Sequence, residues 1–359
     1  MLALLLAGCD AKAPFRIGVL AGVSGRAVAT GEEGRNGAML AVEQRNAAGG
    51  LAGRRMELMV QDNGSDAQTA RTAMQALLDA KVDAVVGPFS SFVAVAVLPM
   101  ADDAQVPMLS PNATSSTLVG KDDQLLLMGA STRDATRAYA ALLWQRGHRR
   151  LAMATSVEPR NAVYYATWRD EFSAAFRALG GELLPGASFT ATTDTVYSEV
   201  VRQLLVGQPD GLVFVCQVVD AVRLAKQARR DAPELPLVVS DGAATEALLR
   251  LGGPAVEGIL VGQPRDMQSA APAYQAFVNA YQERFGRAPG YPAVMAYEAV
   301  TALAQAQTQR RRGQSLQQAL LQRGPYPGLQ GEIAFDAFGD VRDGLRFAMV
   351  RGGRFQALP

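Results

Sequence analysis

Residues 82–95 read VDAVVGPFSSFVAV. An apolar, β-branched run, the mark of a buried strand, stops at Gly87-Pro88. Two serines follow side by side, and a new apolar pattern starts behind them. The run fits a core strand; Ser90 and Ser91 fit the start of the next helix. A strand that ends by handing hydroxyls to a helix start is a unit of an open α/β sheet.

Outward from this unit the chain alternates in the same manner. Short apolar strands are RIGVLAGV, MELMVQD, VPMLSP, RLAMATS, GLVFVCQ, LPLVVSD and GILVGQP. Amphipathic stretches of helical length lie between most of them. EEGRNGAMLAVEQRNAAGG closes at Gly49-Gly50, and DAQTARTAMQALLDA opens behind Ser65-Asp66. Near-continuous apolar strands alternating with helices predict parallel sheets covered on both faces. Phe15 to Gln217 holds too many units for one compact sheet, so a second series is expected to begin near Ser131, after the strand LLLMGA. Two long helices, 272–285 and 292–309, then precede GEIAFDAFGDVRDGLRFAMVRGGRF, which reads as antiparallel strands with turns at Gly339-Asp340 and Gly352-Gly353.

The 359 residues suit two domains and can bury a large core. With 35 basic and 34 acidic residues, the net charge of +1 argues against nucleic acid as a partner. Arg310–Arg312 reads as a solvated helix end. The one histidine, His148, stands in the polar turn QRGHRR and is expected at the surface, which leaves histidine triads and multi-histidine zinc sites without material. GVSGRAVATG lacks the dinucleotide fingerprint and the phosphate-loop ending, and GVSG is not a nucleophile elbow. No cofactor, metal or enzyme chemistry is expected.

Cys9 ends MLALLLAGC, where an apolar run meets Leu6-Ala7-Gly8-Cys9. This resembles a bacterial lipobox: residues 1–13 then form a lipoprotein signal and tether, Cys9 carries lipid, and the chain is exported. The basic region expected ahead of the run is missing, which suggests a start codon farther upstream. Cys216, in GLVFVC, is left without a disulfide partner and reads as a buried thiol. No other segment is long enough to span a bilayer.

In doubly wound sheets, ligands bind beyond the carboxyl ends of the strands. VVGPFSS puts Ser90 and Ser91 at such an end, where unpaired backbone N–H groups and the positive helix pole welcome a carboxylate. The next strand ends alike: VPMLSPNATSSTL sets Asn112, Ala113 and Thr114 beside it. The plainer alternative is that Ser91 and Thr114 only cap helices. Their recurrence on consecutive strands favours a site.

GVLAGVSGRAVATGEEGRNGAMLAVEQRNAAGGLAGRRMELMVQDNGSD resembles the opening of the periplasmic branched-chain amino-acid-binding proteins. The likeness continues through VVGPFSS, VPMLSPNATS, FSAAFRALGGEL, AKQAR, VVSDG, EGILVGQP and FDAFGD. It implies the type I periplasmic binding fold: two doubly wound α/β lobes joined by three chain crossings near 130, 263 and 334. Lobe 1 would comprise 14–130 plus 263–334, and lobe 2 would comprise 131–262 plus 335–359. It further implies a monomeric, non-enzymatic component of an ABC importer in the periplasm or at the cell surface. Its partners would be a small-molecule ligand and an inner-membrane permease, with the lipid as its only membrane contact. The alternatives are a sensory module of the same fold, or a hydrolase or transferase on an α/β scaffold.

By the same resemblance, Ser91 and Thr114 hold a ligand carboxylate, the latter through hydroxyl and backbone N–H, and the Asn112 carbonyl accepts from an α-ammonium. Asp241, in VVSDG, pairs with that ammonium, its alternative being a helix cap before AATEALL. Tyr164 matches a cleft tyrosine, Tyr165 is the lesser candidate, and Trp168 reads as core. The glycines common in the family are Tyr165 and Thr167 here, so this loop departs from the pattern. Two aromatic wall positions are replaced by Thr30 and Gln217, which points to a ligand with a polar or larger side chain, or a small amide or acid; Gln217 at a hydrated rim is the alternative. A disulfide carried by some relatives falls on Ser65 and Ser90 and is absent.

Overall fold

The computed structural model describes residues 13–24, 28–192, 195–341 and 344–358; Cys9 and its lipobox lie outside them. The first series runs β1 (Phe15–Ala21), α1 (Val28–Ala47), β2 (Met56–Asp62), α2 (Ala67–Asp79), β3 (Ala84–Val86), α3 (Ser91–Ala104), β4 (Met108–Ser110) and β5 (Leu125–Leu127). These strands form one wholly parallel sheet, ordered β2-β1-β3-β4-β5. Val19 sits in register with Val60 on one side and Val86 on the other. The closely packed β-branched core explains why these strands read as unbroken apolar runs.

The second series runs α4 (Thr132–Gln145), β6 (Arg150–Ser156), α5 (Ala162–Ala178), β7 (Glu182–Leu183), β8 (Ala187–Phe189), α6 (Tyr197–Leu205), β9 (Gly211–Val215), α7 (Val218–Asp231), β10 (Leu237–Val239), α8 (Glu246–Gly252) and β11 (Leu260–Gln263). Then come α9 (Pro272–Phe285), α10 (Tyr291–Gln309), α11 (Leu316–Gln322), a small pair β12 (Tyr326–Pro327) and β13 (Glu332–Ile333), and the hairpin β14 (Arg346–Arg351) and β15 (Arg354–Ala357). The second sheet is ordered β15-β14-β11-β10-β9-β6-β7, with β8 also on β6. It is parallel except for the terminal hairpin, which turns at Gly352-Gly353 and joins β11 antiparallel. Strands β7 and β8 are too short to announce themselves in the sequence.

The fold is a two-lobe α/β architecture, each lobe built on its own sheet. Helices α10 and α11 return to the first sheet and share its core, where Phe15, Ile17 and Met56 pack with Met295, Leu303 and Leu320. Helix α1 approaches α10 so closely that a Cβ on Gly37 would lie 2.1 Å from the Ala293 carbonyl oxygen. The helix starts are chemically specified: Asp66 accepts the Gln68 and Thr69 amides, and Ser131 accepts the Asp134 amide. Arg310–Arg312 are exposed, as the sequence suggests. His148 is half-buried at the turn: its side chain is 13% exposed and Nδ1 lies 3.1 Å from the Asp210 carbonyl.

Candidate functional site

The strand end at 82–95 builds one wall of a cleft between the lobes. Gly87 has φ +117°, and a Cβ there would stand 2.4 Å from the Leu20 carbonyl oxygen, so only glycine lets β3 leave beside β1. Ser90, with extended backbone, is the cap of α3 and accepts the Val93 amide at 3.3 Å. Ser91 is the first helical residue and caps nothing. Its Oγ accepts the backbone amides of Thr114 and Ser115, both at 3.1 Å. A hydroxyl that accepts twice keeps its own hydrogen for a guest.

The loop after β4 is fixed against this wall. Ser110 donates to the Pro88 carbonyl and accepts the Ala113 amide. The Asn112 side chain donates to the Phe89 carbonyl at 3.2 Å and accepts the Tyr291 hydroxyl at 3.0 Å. Among the described residues nothing donates to the Asn112 backbone carbonyl. Thr114 holds Thr132, whose hydroxyl reaches its carbonyl at 2.8 Å and its Oγ1 at 3.3 Å. The Thr114 amide, expected to face a ligand, points at Ser91 here. Ser115, not Thr114, caps the short 3-10 turn that follows.

On the other lobe Asp241 stands at the end of β10. Its Oδ1 accepts the Tyr164 hydroxyl and the Trp168 indole N–H, each at 2.9 Å. Tyr164 also accepts the Gly242 amide at 3.1 Å. Both donors meet one carboxylate oxygen, and Oδ2 receives no hydrogen bond from another described residue. Burial pushes the carboxyl up, while Trp168 and Tyr164 hold it down. No helix is capped by Asp241: the residue before α8 is Thr245.

Tyr164 and Trp168 are four residues apart on α5, so they share a face. The stretch expected as a loop around Tyr165 and Thr167 forms the first two turns of that helix. Trp168 is core, stacked on Phe172 with ring centroids 5.0 Å apart, and it also serves the site through its N–H. The period of four was legible; reading a loop concealed it.

Thr30, Ser90, Ser91, Asn112, Thr114, Tyr164, Gln217 and Asp241 converge on this cleft, joined by Phe89, Asn161, Tyr165, Cys216 and Gly242. Ala113 does not line it and packs in the core behind. The cleft is partly open to solvent. The lobes touch beside it, the hydroxyls of Ser115 and Thr167 lying 3.1 Å apart. Cys216 is a free, buried thiol whose acidity burial suppresses. Among the described residues no cluster of metal-binding side chains occurs, and no helix is long and apolar enough to cross a membrane.

The chain is 26% identical to the Leu/Ile/Val-binding protein BraC3 of Rhizobium johnstonii over 267 residues, covering 71% of this chain and 69% of that one. It is 22% identical to the Leu/Ile/Val-binding protein of Escherichia coli K12 over 294 residues, 78% and 77% of the two chains. Its fold matches a leucine-binding protein, LivK, from Thermotoga maritima at TM-score 0.86 and 23% identity, covering 96% and 97% of the chains. It matches the substrate-binding protein LivJ from Streptococcus pneumoniae, solved with isoleucine, at 0.86 and 24%, covering 96% and 99%. The pattern of one family, described as periplasmic binding protein, matches residues 14–354, and the chain belongs to that family.

Proposed function

We propose that this protein is the extracytoplasmic substrate-binding component of an ABC importer, holding an amino acid or a related small polar molecule between its lobes. One observation carries the reading: hydroxyl donors of Ser91 and Thr114 face the cleft from one lobe, and the Asp241 carboxylate faces it from the other. A zwitterion stripped of water needs a partner for each pole, because an unpaired buried charge is costly. Here its two poles would join the lobes, and closure is a population shift toward the form in which both engage. The crossings are assigned near 130, 263 and 334, with 14–130 plus 263–334 as lobe 1 and 131–262 plus 335–359 as lobe 2. Cys9 is assigned as the lipid attachment that keeps a monomer near its permease.

The test is thermal denaturation against amino acids, amides, urea and aromatic acids. A ligand at one hundred times its dissociation constant should add about 2.7 kcal/mol and raise the midpoint. Asp241→Ala should abolish the shift for an amino acid while leaving the unliganded chain folded. A shift that survived would place the ammonium elsewhere.

A further inference from the structure

The two poles account for only part of the cleft. The remaining wall is formed by Thr30, Phe89, Asn161, Tyr165, Cys216 and Gln217. Tyr165 is 2% exposed, and its hydroxyl forms no hydrogen bond. Burial pushes the acidity of this hydroxyl well down, and the neighbouring Gln217 amide, at the edge of hydrogen-bonding reach, offsets that only slightly. Gln217 occupies the cap position of α7, and Asn161 that of α5, yet neither side chain caps its helix. Thr30, Asn161, Tyr165 and Gln217 thus face one space with no firm hydrogen bond beyond the marginal Tyr165–Gln217 approach, whereas Ser91, Asn112, Thr114 and Asp241 are all held by neighbours.

We infer that the ligand's side chain is uncharged and hydrogen-bonding: a hydroxyl or carboxamide that meets the Tyr165 hydroxyl and the Gln217 amide. This rests on the amino-acid reading above and narrows it. A buried hydroxyl left poorly paired is unfavourable, and an aliphatic guest would leave Tyr165 and Gln217 nothing but their marginal contact with each other. A site built around such groups rejects analogues that cannot answer them. A charged side chain is disfavoured because Asp241 is the only charged residue among the described lining, and the ammonium uses it.

The experiment is calorimetric titration of the purified chain with serine, threonine, asparagine, glutamine, alanine, valine, leucine and isoleucine. At least one of the first four should bind at least tenfold more tightly than leucine. Tyr165→Phe and Gln217→Leu should each weaken that ligand by about tenfold and change leucine by less than threefold. Tightest binding by an aliphatic amino acid, lost on Asp241→Asn, would overturn this inference and leave the proposed function standing. Failure of every amino acid to bind would overturn the amino-acid reading and this inference with it. Tyr165→Phe removes one oxygen from a retained ring, and the wild-type panel decides the question without any variant.

Discussion

Arg265 and Glu298 form an ion pair 2.9 Å long with side chains only 5% and 2% exposed. Arg265 also donates to the Pro264 carbonyl at 2.8 Å and reaches the Met128 carbonyl at 3.5 Å. Glu298 accepts the Leu329 amide at 2.8 Å. One pair on α10 and the chain beyond β11 therefore ties together the segments that follow β5, follow β11 and precede β13. These segments lie at the crossings proposed near 130, 263 and 334.

Removing one partner leaves the other charge buried and uncompensated, so Glu298→Ala should cost about 3–5 kcal/mol. Arg265→Met with Glu298→Ala should cost less than the two single changes added together, since no charge is stranded. Urea denaturation at neutral pH measures both. A single-variant loss under about 1 kcal/mol would mean that the pair does not anchor the joint.

Asp241 gives a pH dependence with two opposite signs. Its pKa is raised in the unliganded protein by burial, so its contribution to stability is present below the unfolded value and lost as pH rises through the folded one. Ligand binding runs the other way, because an ammonium needs the carboxylate. Affinity should fall as the pH drops through the raised pKa, and Asp241→Asn should remove that slope together with most of the affinity. Titrations from pH 4 to pH 8 would contradict this if wild type bound equally well throughout.

The sequence displayed most of the fold and one half of the site. Buried parallel strands leave unbroken apolar runs, and a strand end followed by Ser or Asn is visible without coordinates. The parts that stayed hidden depend on contacts far apart in the chain. Asn112 is locked by Tyr291, which is 179 positions away, and no local pattern announces that pairing. The capping that is the plainer alternative for Ser91 and Thr114 falls one residue away: Ser90 and Ser115 do it. Tyr165 took second place because the resemblance matches Tyr164 to the cleft tyrosine, and its unpaired hydroxyl shows only in three dimensions.

Glu33 on α1 supplies a second titration. Burial pushes its carboxyl up to about 7; Arg287 and Arg250 pull it down, and Glu246 on α8 adds to the rise. Glu246 is itself raised by burial. Because the folded pKa lies above the ordinary 4.5, stability from Glu33 is present below about 4.5 and is lost as pH rises toward about 7. Glu33→Gln keeps the shape and removes the titration, so thermal midpoints between pH 5 and pH 8 should vary less than in wild type. Parallel profiles for the two proteins would refute the assignment.

Trp168 serves core and cleft at once, and the two duties can be separated. Trp168→Phe keeps an aromatic face against Phe172 but deletes the N–H that reaches Asp241 Oδ1 at 2.9 Å. A hydrogen bond to a charged group contributes about 1.5–3 kcal/mol, so the dissociation constant for an amino acid should rise by about tenfold or more. The smaller ring also leaves a void, which lowers stability whether or not ligand is present. The distinguishing signature is the pH midpoint of binding. With one of its two stabilising donors gone, the Asp241 carboxyl should titrate at a higher pH, and binding should fail earlier on acidification. If stability dropped while both the affinity and that midpoint stayed fixed, Trp168 would be packing alone.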